Sequence, residues 1–156
     1  LVLEGDKSFV NVGATNEDYF AFGRPVFAPG DGVVIASENG VVDNVPGEMN
    51  PAQMLGNHVV IDHGNGEYSF LAHFKQGTVL VATGDQVTRG QRLGDCGNSG
   101  NTTEPHIHYH LQNTTNHLKG EGLPAQFIGY VADGVAVPIG EPVRKQVIEP
   151  GVGQAQ

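Results

Sequence analysis

The sequence predicts an all-β, antiparallel fold, and three observations carry that expectation. Turn formers are abundant, with Gly 23 and Pro 9 among 156 residues, while only 16% are charged. Nowhere do ten consecutive residues keep the 3.6-residue period of an amphipathic helix. Short apolar runs instead alternate with Gly/Pro/Asn turns at close spacing, as strands do.

Taken in order, the chain opens on an apolar Leu1-Val2-Leu3 run, a polar stretch through Asp18, and an aromatic anchor of Tyr19, Phe20 and Phe22. Val26–Ala28 and Val33–Ala36 flank Pro29-Gly30-Asp31-Gly32 and read as a hairpin. Residues 43–55 lack any period and read as a surface loop. The clearest hairpin runs from His58–Asp62 through Gly64-Asn65-Gly66 to Tyr68–Phe74. Thr78–Ala82 reads as a further apolar strand, and Gly84–Gln91 as a turn into a short strand at Arg92-Leu93-Gly94, a pattern common in compact sandwich barrels. Beyond residue 120 the pattern weakens. Gly122-Leu123-Pro124 suits a short helix or irregular segment, Phe127, Ile128 and Tyr130 are expected to pack inward, and 131–148 holds one or two strands. The length suits one domain over 1–148 with a tail at 149–156.

Bulk properties exclude some functions. A net charge of −9 argues against a nucleic-acid partner and against a polybasic membrane contact. No run of 18 apolar residues is present, so no segment reads as a membrane-spanning helix. Cys96, the single cysteine, cannot form an internal disulfide and is expected to be a structural or incidental free thiol.

The chemistry concentrates in GNSGNTTEPHIHYHL, residues 97–111. His106, His108 and His110 alternate with Ile107, Tyr109 and Leu111, so a strand here carries imidazoles on one face and apolar groups on the other. Imidazoles two residues apart along a strand lie roughly 6.5–7 Å apart, close enough to share one small volume. Imidazole is both a metal ligand and a general base near neutral pH. H-x-H alone is a weak motif, and the polar Gly-rich loop leading into it strengthens the reading, because such loops rim pockets. Asn98, Ser99, Asn101 and Thr102 have the chemistry to hold a peptide backbone, although a plain polar turn explains them equally well.

Four motifs in order, FGRPVFAPGDGVV, GNHVVIDHGNGEYSFLAHF, VATGDQVTRGQRLG and GNSGNTTEPHIHYHL, resemble the lysostaphin-type (LytM-like) zinc peptidoglycan endopeptidases from about Phe22 to Leu111. The resemblance implies a two-sheet β sandwich or barrel with long loops around a groove, one zinc ion, and hydrolysis of peptides in bacterial peptidoglycan, hence an extracytoplasmic location. It places the zinc ligand of the H-x-H pair on His108, one catalytic histidine on His106, and the second on His73 in Leu71-Ala72-His73-Phe74. His110 is expected in a supporting or surface role; His58, His63 and His117 read as structural or solvent-facing.

One departure stands out. The family's remaining ligands, a histidine and an aspartate ahead of the first hairpin, have no counterpart: no histidine precedes His58, and Asp6 and Asp18 lack a histidine partner. The sequence begins at Leu1 without Met, which suits a start just after those ligands; the alternative is a degenerate homologue that has lost its metal. As written, the chain is expected to hold zinc weakly, because a catalytic zinc takes three protein ligands. The implied chemistry has His106 taking the proton of the attacking water and His73 donating to the oxyanion, with the two roles open to exchange. The competing functions are a metal-free module that binds peptidoglycan or regulates an amidase, and a phosphohistidine sugar-transfer carrier. The carrier class lacks the SGN-x-x-x-PH-x-H run.

Overall fold

The computed structural model describes residues 2–151. Leu1, and 152–156 of the expected tail, lie outside the described residues. Contacts divide the chain into two compact units, Leu1–Glu121 and Gly122–Gln156.

The first unit contains seven strands: β1 (Pro25–Phe27), β2 (Gly32–Glu38), β3 (Asn57–Asp62), β4 (Tyr68–Phe74), β5 (Gln86–Val87), β6 (Arg92–Asp95) and β7 (His108–Gln112). Its only helical turns among the described residues are single 3-10 turns at Asn16–Asp18 and Pro51–Gln53. Five strands form an antiparallel sheet in the order β5-β2-β3-β4-β7, and β1 pairs with β6 in a separate two-stranded sheet. The fold is therefore all-β and antiparallel, as the turn-rich composition requires. The β3–β4 hairpin forms around its Gly-Asn-Gly turn, with Asp62 opposite Tyr68. Val59 and Ile61 point from β3 into a core with Val34, Leu71, Phe74 and Leu93, the β-branched and apolar positions of the alternating runs.

Three local expectations fail for physical reasons. The Val26–Ala28 and Val33–Ala36 segments do not form a hairpin. Pro29–Asp31 carries the chain from one sheet to the other, and it is tied elsewhere: the Asp31 carboxylate accepts the Arg89 N–H at 2.7 Å, and Gly90 N–H donates to Ala28 O at 2.9 Å. Thr78–Ala82 runs extended outside any ladder. Its backbone is tied piecemeal: Asn39 accepts Val79 N–H and donates to Val79 O, Leu80 N–H donates to Leu93 O, and Ala82 N–H donates to the Asp85 carboxylate. The histidine strand begins at His108 rather than at His106, so His106 sits on the loop that precedes it.

The second unit is a three-stranded antiparallel sheet in the order β10-β8-β9, built from β8 (Phe127–Ala132), β9 (Val135–Gly140) and β10 (Ile148–Pro150). Gly122-Leu123-Pro124 is irregular, and Ile148–Pro150 pair with Ala132–Tyr130 where a tail was expected to begin. Phe127 and Ile128 do not pack inward as expected: they remain 38% and 52% exposed. So short a sheet lacks the apolar mass to cover both of its own faces.

Cys96 is buried and free, and burial pushes its thiol up to about 12. Gly97 follows it at a close backbone crossing, where a Cβ would lie 2.3 Å from both Cα and N of Lys75. Backbone cannot swing aside as a flexible side chain can. Gly97→Ala is therefore expected to cost roughly 2–4 kcal/mol. Gly122→Ala, with nothing within 4 Å of its Cβ, is expected to change little. Denaturant unfolding of the two variants side by side checks the contrast; equal midpoints would contradict the crossing.

Candidate active site

His73 is placed by a β-bulge. Asn57 pairs with Phe74 and His58 with Ala72, so His73 is the extra residue of β4. Its φ is +71°, unusual for a residue with a Cβ and the kind of local strain that clusters at functional sites. Leu71 and Phe74 both enter the core, three residues apart. Strict alternation would send His73 inward with Leu71; the bulge turns it to the opposite face, with Ala72. That face is shared with β7, where His108 lies opposite Ala72 and His110 opposite Phe70. Small Ala72 leaves room between the rings.

The result is a group of imidazoles drawn from two strands and a loop. The His73 ring centroid is 5.1 Å from that of His106 and 6.1 Å from that of His108. His110 continues the row, 5.3 Å from His108 and stacked on Phe70 at 4.7 Å and 8°. His58 and His63 stand apart from the group, while His117 is near enough for its charge to act on His110. His58 contacts Gly56 O, and His63 bridges Asp31 O and Ser69 Oγ.

Two of the tautomers follow from the partners. His73 Nδ1 lies 2.8 Å from Ser99 O, and a carbonyl can only accept. Nδ1 therefore carries the proton and Nε2 keeps its lone pair. His106 Nδ1 lies 2.8 Å from Glu104 O, with the same consequence. The Thr102 hydroxyl donates to the same carbonyl and backs the ring at 3.2 Å. Both catalytic candidates thus present bare Nε2 atoms when neutral.

Burial lowers three of these rings, His73, His108 and His110. Desolvation lowers His73 to about 4, with the Ser99 hydrogen bond opposing and the charges of His106 and His108 reinforcing the shift. His108 is lowered mainly by desolvation, then by its charged neighbours His110 and His106. His110 is lowered by desolvation and by the charge of His117, against the opposing hydrogen bond that it donates to Gln112.

The loop that delivers these groups is held from behind by its own polar residues and by Asp43 and Asn44. Ser99 Oγ donates to Phe74 O at 2.7 Å and accepts Asn57 N–H at 2.9 Å. Asp43 accepts the N–H of Asn98 at 2.6 Å and that of Gln76 at 3.0 Å. Asn44 Nδ2 donates to Gly100 O and Thr102 O. Asn98, Ser99 and Thr102 are buried, so they support the loop and do not face a bound peptide. Asp43 and Asn44 open the 43–55 segment, which carried no periodic signal; only their polar side chains beside a turn hinted at a tie.

Among the described residues, no group of three or more His, Cys, Asp or Glu is placed to hold a metal ion. Asp18 is committed elsewhere, accepting Asn11 Nδ2 and the N–H groups of Ala14 and Thr15. The donor chemistry of His108, an exposed imidazole in the middle of the row, fits one ligand of a zinc ion. The described residues do not close the set around it.

The cluster makes a pH prediction for the metal-free chain. His73 has its folded value near 4, below the ordinary 6.5, so the unfolded chain binds more protons between the two. Its contribution is complete above pH 6.5 and is lost as pH falls towards 4, by at most about 3 kcal/mol. His108 and His110 act in the same direction. Unfolding free energies measured across that window should fall with acid, and less steeply in His73→Gln. A variant that parallels the parent would place the pH dependence elsewhere.

The sequence profile of Peptidase family M23 matches residues 15–120. The peptidoglycan DD-endopeptidase ShyA of Vibrio cholerae serotype O1 is 42% identical over 89 residues, covering 57% of this chain and 17% of that protein. ShyC of the same organism, also named a peptidoglycan DD-endopeptidase, is 38% identical over 93 residues, covering 59% and 18%. The chain thus spans less than a fifth of the length of either relative. Among solved structures, a zinc-containing peptidase from Vibrio cholerae is 30% identical with a TM-score of 0.46, over 58% of this chain and 24% of that one. The catalytic domain of lysostaphin from Staphylococcus simulans is 23% identical with a TM-score of 0.48, over 69% and 78%. With the profile covering well over half of its residues, the chain belongs to peptidase family M23.

Proposed function

We propose that this domain is the peptidase unit of a zinc-dependent endopeptidase that cleaves peptides of bacterial peptidoglycan outside the cytoplasm. The observation that carries this reading is the pair of bare Nε2 atoms on His73 and His106, set beside the exposed ring of His108. The DD-endopeptidase names of ShyA and ShyC support peptidoglycan as the substrate class.

His108 would be the zinc ligand contributed by these residues. Zinc, when bound, supplies a Lewis acid that polarises the carbonyl and lowers the pKa of water towards about 7. The chain's own residues manage the protons. His106 accepts the proton of the attacking water at Nε2, the nitrogen left bare by its Nδ1 partner, on a ring less buried than that of His73. Glu104 O holds the Nδ1–H of His106 throughout, which fixes the direction of the lone pair. The imidazolium then gives its proton from Nε2 to the leaving amine. Neutral His73 has no N–H at Nε2, so the oxyanion-donor role implied by the resemblance does not suit its ground state. It is better placed to orient the water by accepting its second hydrogen.

Three variants, made in the full-length protein its gene encodes, test this. His108→Ala is expected to lose zinc and activity together. His106→Ala should keep zinc and lower turnover by roughly 10²–10⁴, the usual worth of a positioned base. His73→Ala should keep zinc and also turn over more slowly. Metal content and digestion of purified peptidoglycan are measured on the same samples. Zinc lost from His106→Ala but kept by His108→Ala would reverse the two roles. Full activity in all three would end the enzyme reading and favour a binding module.

A further inference from the structure

His110 has no place in the proton transfers above, yet its surroundings are more closely defined than those of His108. Its ring stacks on Phe70, and each of its nitrogens meets one partner: Nδ1 lies 3.2 Å from His108 Nε2, and Nε2 lies 3.0 Å from Gln112 Oε1.

The direction of these hydrogen bonds is settled from the far end. Gln112 is buried, and its Nε2 donates to Thr114 O at 2.6 Å and to Asn116 O at 3.0 Å. Two carbonyls can only accept, so the amide cannot be flipped and Oε1 must face His110. Gly120 packs against the same amide, where a Cβ would lie 2.5–2.8 Å from its atoms. Facing an acceptor, His110 carries its proton on Nε2. Its Nδ1 then holds a lone pair and accepts from His108 Nε2–H. Two neutral imidazoles cannot both offer lone pairs at that distance, and the anchored Gln112 decides which one donates.

We infer that His110 is a positioning residue which, through the fixed amide of Gln112, sets the tautomer and ring orientation of His108 and leaves His108 Nδ1 as the nitrogen open to a metal ion. This rests on the reading of His108 as a metal-binding histidine. A ligating imidazole must have one nitrogen bare, and a partner on the other nitrogen holds the ring in place and raises its basicity. His108 is the exposed member of the row, with nothing else among its described polar contacts to hold it.

The test reads the hydrogen bond itself. In metal-free protein with ¹⁵N-labelled histidine at neutral pH, the side-chain NMR spectrum should show a proton on His108 Nε2 and a coupling from that nitrogen across the hydrogen bond to His110 Nδ1. His110→Leu should lose the coupling and the exchange protection of the His108 Nε2–H. His110→Gln, whose side-chain oxygen can accept, should restore the protection. Gln112→Met should remove the preference for a proton on His110 Nε2, and with it the single direction of donation. Unchanged amide spectra away from the row would show that each variant still folds. A proton found on His108 Nδ1, an absent coupling in the parent, or protection that survives His110→Leu would each overturn the inference. None of these readouts depends on peptidase activity, so the relay can fail while the enzyme reading stands, and the reverse.

Discussion

Ser99 is the point on which the site depends. Fully buried in a loop, it spends its hydroxyl on Phe74 O and Asn57 N–H and its carbonyl on His73 Nδ1. Those partners lie at the open ends of β3 and β4, where the bulge interrupts regular pairing. Each bond contributes about 1 kcal/mol, and leaving any of these buried groups without a partner costs more than the bond itself returns. The loop that ends in His106 is therefore fastened to the same residue that orients His73. Ser99 thus ties the loop that carries His106 directly to the bulge that carries His73, with Asp43 and Asn44 bracing the same loop.

Legibility in the sequence followed the range of the forces. The β3–β4 hairpin was readable to within a residue, because alternation and a Gly-Asn-Gly turn are local signals. Strand partners across the sheet were not. Pro29-Gly30-Asp31-Gly32 looks like a hairpin turn, and its actual anchors, Arg89 N–H and His63 Nδ1, lie far along the chain. Thr78–Ala82 has the apolar content of a strand, but its backbone is tied one group at a time, by the Asn39 side chain, Leu93 O and the Asp85 carboxylate, an arrangement that no propensity scale encodes.

The site was legible in a different way. The alternation of His106, His108 and His110 with Ile107 and Tyr109 correctly separated the two faces of the segment, since Ile107 and Tyr109 pack on the core. The grouping of His73 with them came only from resemblance. A period-two reading of β4 sends His73 into the core, and the bulge that reverses it is visible only in the register against β3. Asp43 and Asn44 were missed because hydrogen bonds across more than fifty residues leave no periodic trace.

Orientation by uncharged acceptors is the property that these features share. The chain carries a net charge of −9, yet among the described residues no carboxylate is hydrogen-bonded to the row from His73 to His110, and burial lowers three of its four members. A carboxylate beside these rings would favour imidazolium and fill the lone pairs that proton transfer and metal binding both require. Carbonyl oxygens of Ser99 and Glu104, and the amide oxygen of Gln112, orient the rings without supplying a full charge. In each case the acceptor takes a proton on one nitrogen and leaves the lone pair of the other available. Dipoles fixed by the backbone thus accomplish what an acidic residue would do at the cost of charging the ring. This explains why the loop from Asn98 to Glu104 is built from amides, hydroxyls and backbone turns, with its one carboxylate, on Glu104, turned to Ser8 Oγ at 3.4 Å while the backbone oxygen faces His106.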